Sequence, residues 1–197
     1  RSALTVSIML CISVCSYLSR SHKRSCIFFG SLTASRPNMK IAAKNISIPV
    51  LCKDFVYYKE QIGAAYVCGA DMILLIARAL EKGELEELYG TAEERGIFPL
   101  VEICRENELD RLAGIFPEII MVNMRYLETL EVNFDLGIST LKALPKGVTA
   151  ISASGINSNT DIEYIMKQSG VKNFLVGASL MTHSEPDIMI RELKDVC

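Results

Sequence analysis

One pattern constrains this chain more than any other: a short, nearly unbroken apolar run that ends in polar residues, followed by an amphipathic charged stretch. Ile48-Pro-Val-Leu-Cys-Lys53 opens the series and leads through a polar loop into a helical stretch. Asp71 to Ile76 is followed by a helical pattern over Leu80 to Arg95, Phe98 to Ile103 by one over Glu106 to Phe116, and Glu118 to Asn123 by one over Phe134 to Leu144. Val148 to Ser152 then leads into Thr160 to Ser169, and Asn173 to Gly177 into Glu185 to Val196. Apolar strands of this kind are buried on both faces, and alternation with helices is the signature of a parallel sheet covered by helices. Six regular units from Ile48 onward predict an α/β fold, a (β/α)8 TIM barrel that is incomplete over six clear βα units. An open doubly wound sheet is the architecture that periodicity alone leaves open.

Charge divides the chain unevenly. Residues 1–53 hold eight Lys or Arg and no Asp or Glu, whereas residues 54–197 hold all 23 acids and 13 bases. An acidic folded portion excludes a phosphate-backbone binder, which needs a cationic face, so no nucleic-acid partner is expected. The apolar run Leu4 to Leu18 is interrupted by small polar residues and is too short to span a membrane, so no membrane partner is expected. Seven cysteines stand singly at 11, 15, 26, 52, 68, 104 and 197, without metal-ligand or CxxC spacing, and read as thiols of a reducing compartment.

The domain reading is therefore an atypical segment over residues 1–47 and a βα-barrel domain over 48–197. The first segment has three competing readings: an organellar transit peptide, a secretory signal, or a truncated or frame-disturbed start. The expected location is cytoplasmic, or plastid if residues 1–47 act as a transit peptide.

Barrels carry their chemistry at the carboxyl ends of strands. Those ends here bear Lys53, Glu102, Asn123 with Arg125, Ser152 to Gly155, and Gly177 to Ser179. A cation, a carboxylate, an amide, a guanidinium and two glycine-containing turns facing one mouth suit acid/base chemistry on a phosphorylated small molecule. Each has a structural alternative. Lys53 and Glu102 could be an ion pair of the barrel top, Asn123 a loop cap, Arg125 a solvated side chain, and the glycines ordinary turn residues. Glycine turns on the last two strands match the place where barrels bind phosphate.

The segments Pro49-Val-Leu-Cys-Lys-Asp-Phe55, Gly69-Ala-Asp-Met-Ile-Leu-Leu-Ile76, Leu100-Val-Glu-Ile103, Val122-Asn-Met-Arg-Tyr-Leu-Glu-Thr129, Ser152-Ala-Ser-Gly-Ile156 and Leu175-Val-Gly-Ala-Ser-Leu-Met181 resemble, in order, motifs of the indole-3-glycerol phosphate synthase family of tryptophan biosynthesis. The resemblance implies a carbon–carbon lyase that closes the indole ring of a carboxyphenylamino deoxyribulose phosphate with loss of carbon dioxide and water, without cofactor or metal. It further implies Lys53 as general acid and Glu102 as stabiliser of developing positive charge. Asn123, Arg125 and Ser154 would hold the ribulose part, and Phe55 and Leu74 would pack the aryl ring. Gly155, Gly177 and Ala178 would hold phosphate, with Ser179 adjacent. As partners it implies the phosphorylated substrate and fusion to, or association with, other enzymes of tryptophan synthesis. Two departures stand out: Ala153 replaces a Glu of the family's fifth motif, and the family's first-strand Glu/Lys motif has no counterpart upstream of Ile48. Ile27-Phe-Phe-Gly-Ser-Leu32 resembles the loop after the family's second strand, Ile41 to Ile46 the tail of the second helix, and Leu4 to Val14 could supply a strand or a helix.

Overall fold

The computed structural model describes residues 8–11, 26–29 and 36–195. The basic cluster Arg20 to Arg24, and all of Leu4 to Leu18 except residues 8–11, lie outside them.

Eight strands form one sheet in strict chain order: β1 Ile8–Cys11, β2 Cys26–Phe29, β3 Val50–Cys52, β4 Met72–Ile76, β5 Phe98–Ile103, β6 Ile119–Asn123, β7 Thr149–Ala153 and β8 Phe174–Leu175. All neighbours from β2 to β8 pair in parallel; β1 runs antiparallel to β2. The sheet curls until β1 comes beside β8, yet no hydrogen-bonded ladder joins them among the described residues. This is an incomplete (β/α)8 barrel. The six units expected from Ile48 are present as β3 to β8. The Ile27 segment contributes a further parallel strand, and part of the Leu4–Val14 run is strand rather than helix.

Helices α1 Arg36–Asn45, α2 Lys59–Val67, α3 Lys82–Glu94, α4 Phe134–Ala143, α5 Asn159–Ser169, α6 Ala178–Thr182 and α7 Pro186–Asp195 follow the strands. Their ends are set by local chemistry. Gln61 Oε1 accepts from Tyr57 N and Tyr58 N at the start of α2, Asn133 Oδ1 accepts from Leu136 N at α4, and Asp161 Oδ2 accepts from Asn157 N and Ser158 N at α5. Gly170, at φ +76°, closes α5 in the left-handed conformation that glycine adopts without steric cost.

The expected helix over Glu106 to Phe116 is instead a 3-10 helix over Glu106–Leu112. Glu108, within it, turns inward and is buried, its Oε2 accepting Cys104 N at 2.8 Å, and the tighter turn brings it there. Gly114 at φ +106° and Pro117 then prevent continuation.

Strand alternation divides the core in two. Val50, Ile73, Leu75, Val101, Ile103, Ile120 and Val122 face outward and pack under the helices. Leu51, Met72, Leu74, Leu100, Ile119, Met121, Ile151 and Leu175 face inward and fill the barrel axis. Leu75 is fully buried between sheet and helices, so Leu75→Ala should cost about 2–5 kcal/mol of unfolding free energy. A fall in the urea midpoint at unchanged slope is the expected result.

Candidate functional site

The inward rows explain the site. The alternation that buries Leu51, Leu100, Met121 and Ile151 on the axis puts Lys53, Glu102, Asn123 and Ala153 two residues further on the same face, at the carboxyl ends of β3, β5, β6 and β7. They meet at one mouth. Lys53 Nζ lies 3.6 Å from Glu102 Oε2, with the lysine side chain 23% exposed and the glutamate 1% exposed. Asn123 Nδ2 donates to Glu102 Oε1 at 3.0 Å, and Asn123 Oδ1 accepts from Arg125 N at 3.0 Å. The order Lys53, Glu102, Asn123, Arg125 is therefore one connected polar chain spanning three strand ends.

Glu102 Oε2 has no hydrogen-bond partner among the described residues. At an effective dielectric near 20, attraction across 3.6 Å is on the order of 5 kcal/mol. Desolvating a carboxylate costs a comparable several kcal/mol. The pair therefore adds little net stability, and an under-satisfied buried oxygen aimed at a half-open lysine is the arrangement expected of a working site.

Two cavities open on this chain. The larger, about 520 Å³, is floored by Ala153, Ser154, Gly155, Gly177, Ala178 and Ser179, with Val132 and Phe134 as a wall. The smaller, about 270 Å³, is apolar, lined by Phe55, Leu74, Ile76, Leu127 and Leu130 around Glu102. Lys53, Asn123, Arg125 and Ser154 line both, so they are two lobes of one mouth joined at a polar waist. Phe55 stacks on Tyr57, ring centroids 6.3 Å apart and planes within 5°.

The floor of the larger lobe needs unusual backbone. Ser154 at φ +71° and Gly155 at φ +80° are consecutive left-handed residues, and the serine is strained by roughly 1–2 kcal/mol. A Cβ on Gly155 would run into Val132 Cγ1 and stand 3.0 Å from Phe134 Cε1. Ser179 Oγ donates to Ile156 O at 2.7 Å, which ties the turn after β8 to the turn after β7. Asp161 caps α5 with its own carboxylate, leaving the two glycine turns as the natural anion-facing elements.

Of the residues expected from the sequence at the strand ends, Ser152 lines neither lobe, being fully buried on β7, and the others line this mouth. Phe55 and Leu74 fall in the apolar lobe with Glu102, the Gly155 and Gly177 to Ser179 turns in the other, and Lys53, Asn123, Arg125 and Ser154 at the waist. Sequence reasoning missed Ile76, Leu127, Leu130, Val132 and Phe134. The apolar spacing of Leu127, Leu130 and Val132 within an otherwise polar loop after β6 was the available signal. Among the described residues no cluster of three His, Cys, Asp or Glu could hold a metal ion.

Cys104 lies two residues beyond Glu102, its thiol donating to Arg125 O at 3.6 Å. Burial, then the charges of Glu102 and Glu108, pushes this thiol up to about 12 from 9.0. Burial, then Glu93 and Glu118, does the same to Tyr89, from 10.0 to about 12. Both groups stay neutral in the folded chain where the unfolded chain ionises. Their contribution to stability is thus intact below pH 9.0 and is lost as pH rises toward about 12. The expected outcomes are a urea midpoint that falls between pH 8 and pH 10.5, and a Cys104 that escapes iodoacetamide at pH 8 in the folded chain while the partly exposed Cys68 reacts.

Comparison with known proteins agrees with this geometry. The family model described as indole-3-glycerol phosphate synthase matches residues 27–193. The indole-3-glycerol phosphate synthase of Sulfurimonas denitrificans is 40% identical over 149 residues, covering 76% of this chain and 56% of that protein. That of Bacillus thuringiensis is 40% identical over 158 residues, covering 80% and 62%. The chain thus spans 56–62% of the length of these curated relatives. Among solved structures, a 3-hexulose-6-phosphate synthase superposes with a TM-score of 0.70 at 12% identity, over 86% of this chain and 85% of that one. A chain of the tryptophan synthase α2β2 complex from Pyrococcus furiosus gives 0.60 at 14%, over 85% and 73%. These two likenesses concern the fold alone. With the family's pattern matched over residues 27–193 and two-fifths of positions shared with its members, the chain belongs to the indole-3-glycerol phosphate synthase family.

Proposed function

We propose that the chain closes the indole ring of 1-(2-carboxyphenylamino)-1-deoxyribulose 5-phosphate, releasing carbon dioxide and water. The observation that carries this reading is the two-lobed mouth with Lys53 at its waist, 3.6 Å from the Glu102 carboxylate of the apolar lobe. The substrate has an aryl end, a phosphate end and a reacting carbonyl between them. Phe55 and Leu74 would hold the aryl end in the apolar lobe. Backbone N–H groups of Gly155, Gly177 and Ala178 would hold the phosphate, with Ser179 bracing the two turns. Asn123, Arg125 and Ser154 would position the ribulose hydroxyls.

In the chemistry that follows, the ring carbon bearing the carboxylate attacks the keto carbon, and the Lys53 ammonium protonates the keto oxygen as the new bond forms. Positive charge develops on the anilino nitrogen, facing the Glu102 carboxylate. Loss of carbon dioxide returns the electron pair to the ring and restores its aromaticity. Lys53, reprotonated by solvent, then donates a second proton to the new hydroxyl, which leaves as water, and Glu102 takes a proton from the ring system to complete the indole. Asn123 keeps Glu102 oriented through its 3.0 Å bond. Ala153, buried at the end of β7, offers only a methyl here, and the carboxylate paired with Lys53 is that of Glu102.

A barrel that only binds a phosphorylated ligand is not favoured, because such a binder has no use for a desolvated carboxylate held against a lysine. The compartment is inferred to be the cytoplasm, where phosphorylated intermediates of this kind are retained. Among the described residues no helix is long and apolar enough to cross a membrane.

Indole formation followed by fluorescence tests the reading. Turnover should fall about 10²–10⁴-fold in Lys53→Met, the range for losing a general acid, while binding of inorganic phosphate stays intact. Equal turnover by wild type and Lys53→Met would remove Lys53 from the chemistry.

A further inference from the structure

A second ionic cluster sits beside the mouth without lining either lobe. Arg78, in the 3-10 turn Ala77–Ala79 that follows β4, donates through Nη1 to Glu128 Oε2 at 2.7 Å and pairs through Nη2 with the other oxygen of the same carboxylate. Its Nε lies 3.6 Å from Glu108 Oε1. Glu108 is buried and fixed from behind by Cys104 N. One guanidinium thus bridges the loops after β4, β5 and β6, anchored on the inner side by a buried carboxylate and gripping an exposed one.

The gripped residue is the informative one. Glu128 stands between Leu127 and Leu130, which form the roof of the apolar lobe. That roof is a strained turn: Leu130 is held at φ +60°, its N–H donating to Tyr126 O at 2.8 Å and its carbonyl accepting Arg125 Nη1 at 2.7 Å. A leucine in the left-handed region is unfavourable and persists only where surrounding contacts over-determine it. Arg125 restrains the turn from inside the mouth, and Arg78 restrains it from outside.

We propose that Arg78 is a positioning residue that pins the Tyr126–Leu130 turn through Glu128, and so sets recognition of the aryl end of the ligand without touching it. The proposal rests on the reading above for the identity of that ligand. A bidentate guanidinium–carboxylate fork fixes orientation as well as distance, which is what a roof over a flat ring requires. The glycine turns that floor the larger lobe follow β7 and β8, outside the three loops that this bridge joins.

The test uses the 197-residue chain, calorimetric titration, and two probes: inorganic phosphate, and an unreactive analogue of the substrate whose keto group is reduced to an alcohol. Glu128→Gln is the primary variant, since it leaves the buried Glu108 with Arg78; Arg78→Gln and the double variant complete a cycle. Analogue affinity should fall about three- to tenfold in Glu128→Gln, the scale of a partly exposed ion pair acting on a strained turn. Phosphate affinity should hold. The double variant should bind no worse than Arg78→Gln alone, because one bridge is lost in both. Amide hydrogen exchange across residues 126–130 should speed up in Glu128→Gln. If the chain turns over substrate, KM should rise with kcat nearly unchanged.

Unchanged analogue affinity in Glu128→Gln, or a parallel loss of phosphate binding, overturns the proposal. A wild-type chain that binds the analogue but never forms indole sinks the catalytic reading and leaves this test decisive. One that binds phosphate but not the analogue overturns the roof's role directly, and binding of neither probe overturns both.

Discussion

Side chains on a strand point alternately to its two faces, and in a curled parallel sheet one of those faces has nowhere to go but the axis. Here the axis is filled by apolar residues until the strands run out, and the next inward position on β3, β5 and β6 is Lys53, Glu102 or Asn123. A shift of one residue in any of these strands would send its polar group under a helix and an aliphatic one into the mouth. The apolar layer therefore does more than supply burial. It holds register, and register alone decides which groups meet.

The same layering explains how the mouth tolerates a desolvated carboxylate. Glu102 rests on the apolar axis and is 1% exposed, yet its partners come from the ends of β3 and β6, one of them two strands away, rather than from a long loop. Because β3 and β6 are each fixed by pairing with strands beside them, Lys53 and Asn123 need little side-chain ordering to reach it. The strain in the molecule lies one shell further out, in the left-handed Ser154 and Leu130, each at the edge of a lobe and each braced by neighbours. Rigid strands carry the polar chain, and strained turns shape the space around it.

Much of this could be read in the sequence. The apolar runs located β3 to β8, because buried parallel strands are nearly uniform in composition, and the residues ending them marked the mouth. What escaped depends on distance along the chain. The Arg78–Glu128 bridge spans 50 residues and leaves no local signature. Glu106 to Phe116 had helical spacing, but the inward turn of Glu108 toward Cys104 N imposed a tighter coil. The left-handed backbone of Ser154 was equally hidden, since serine has no intrinsic preference for it and it stands beside a Gly155 whose close approach to Val132 and Phe134 is equally invisible in the sequence. By its sequence Ile27 to Leu32 resembled the loop after a second strand, whereas Cys26–Phe29 is itself the parallel strand, as its register with Val50–Cys52 shows.

The waist shared by the two lobes has a consequence for selectivity. A ligand confined to the apolar lobe meets Phe55, Leu127 and Glu102, and one confined to the glycine turns meets mostly backbone; each touches Lys53, Asn123 and Arg125 from one side only. Only a molecule long enough to occupy both is drawn across the polar chain, and its second end then binds at the high local concentration that tethering creates. The mouth would act as a gauge of length, in which a ligand that fills both lobes outbinds one that fills either alone.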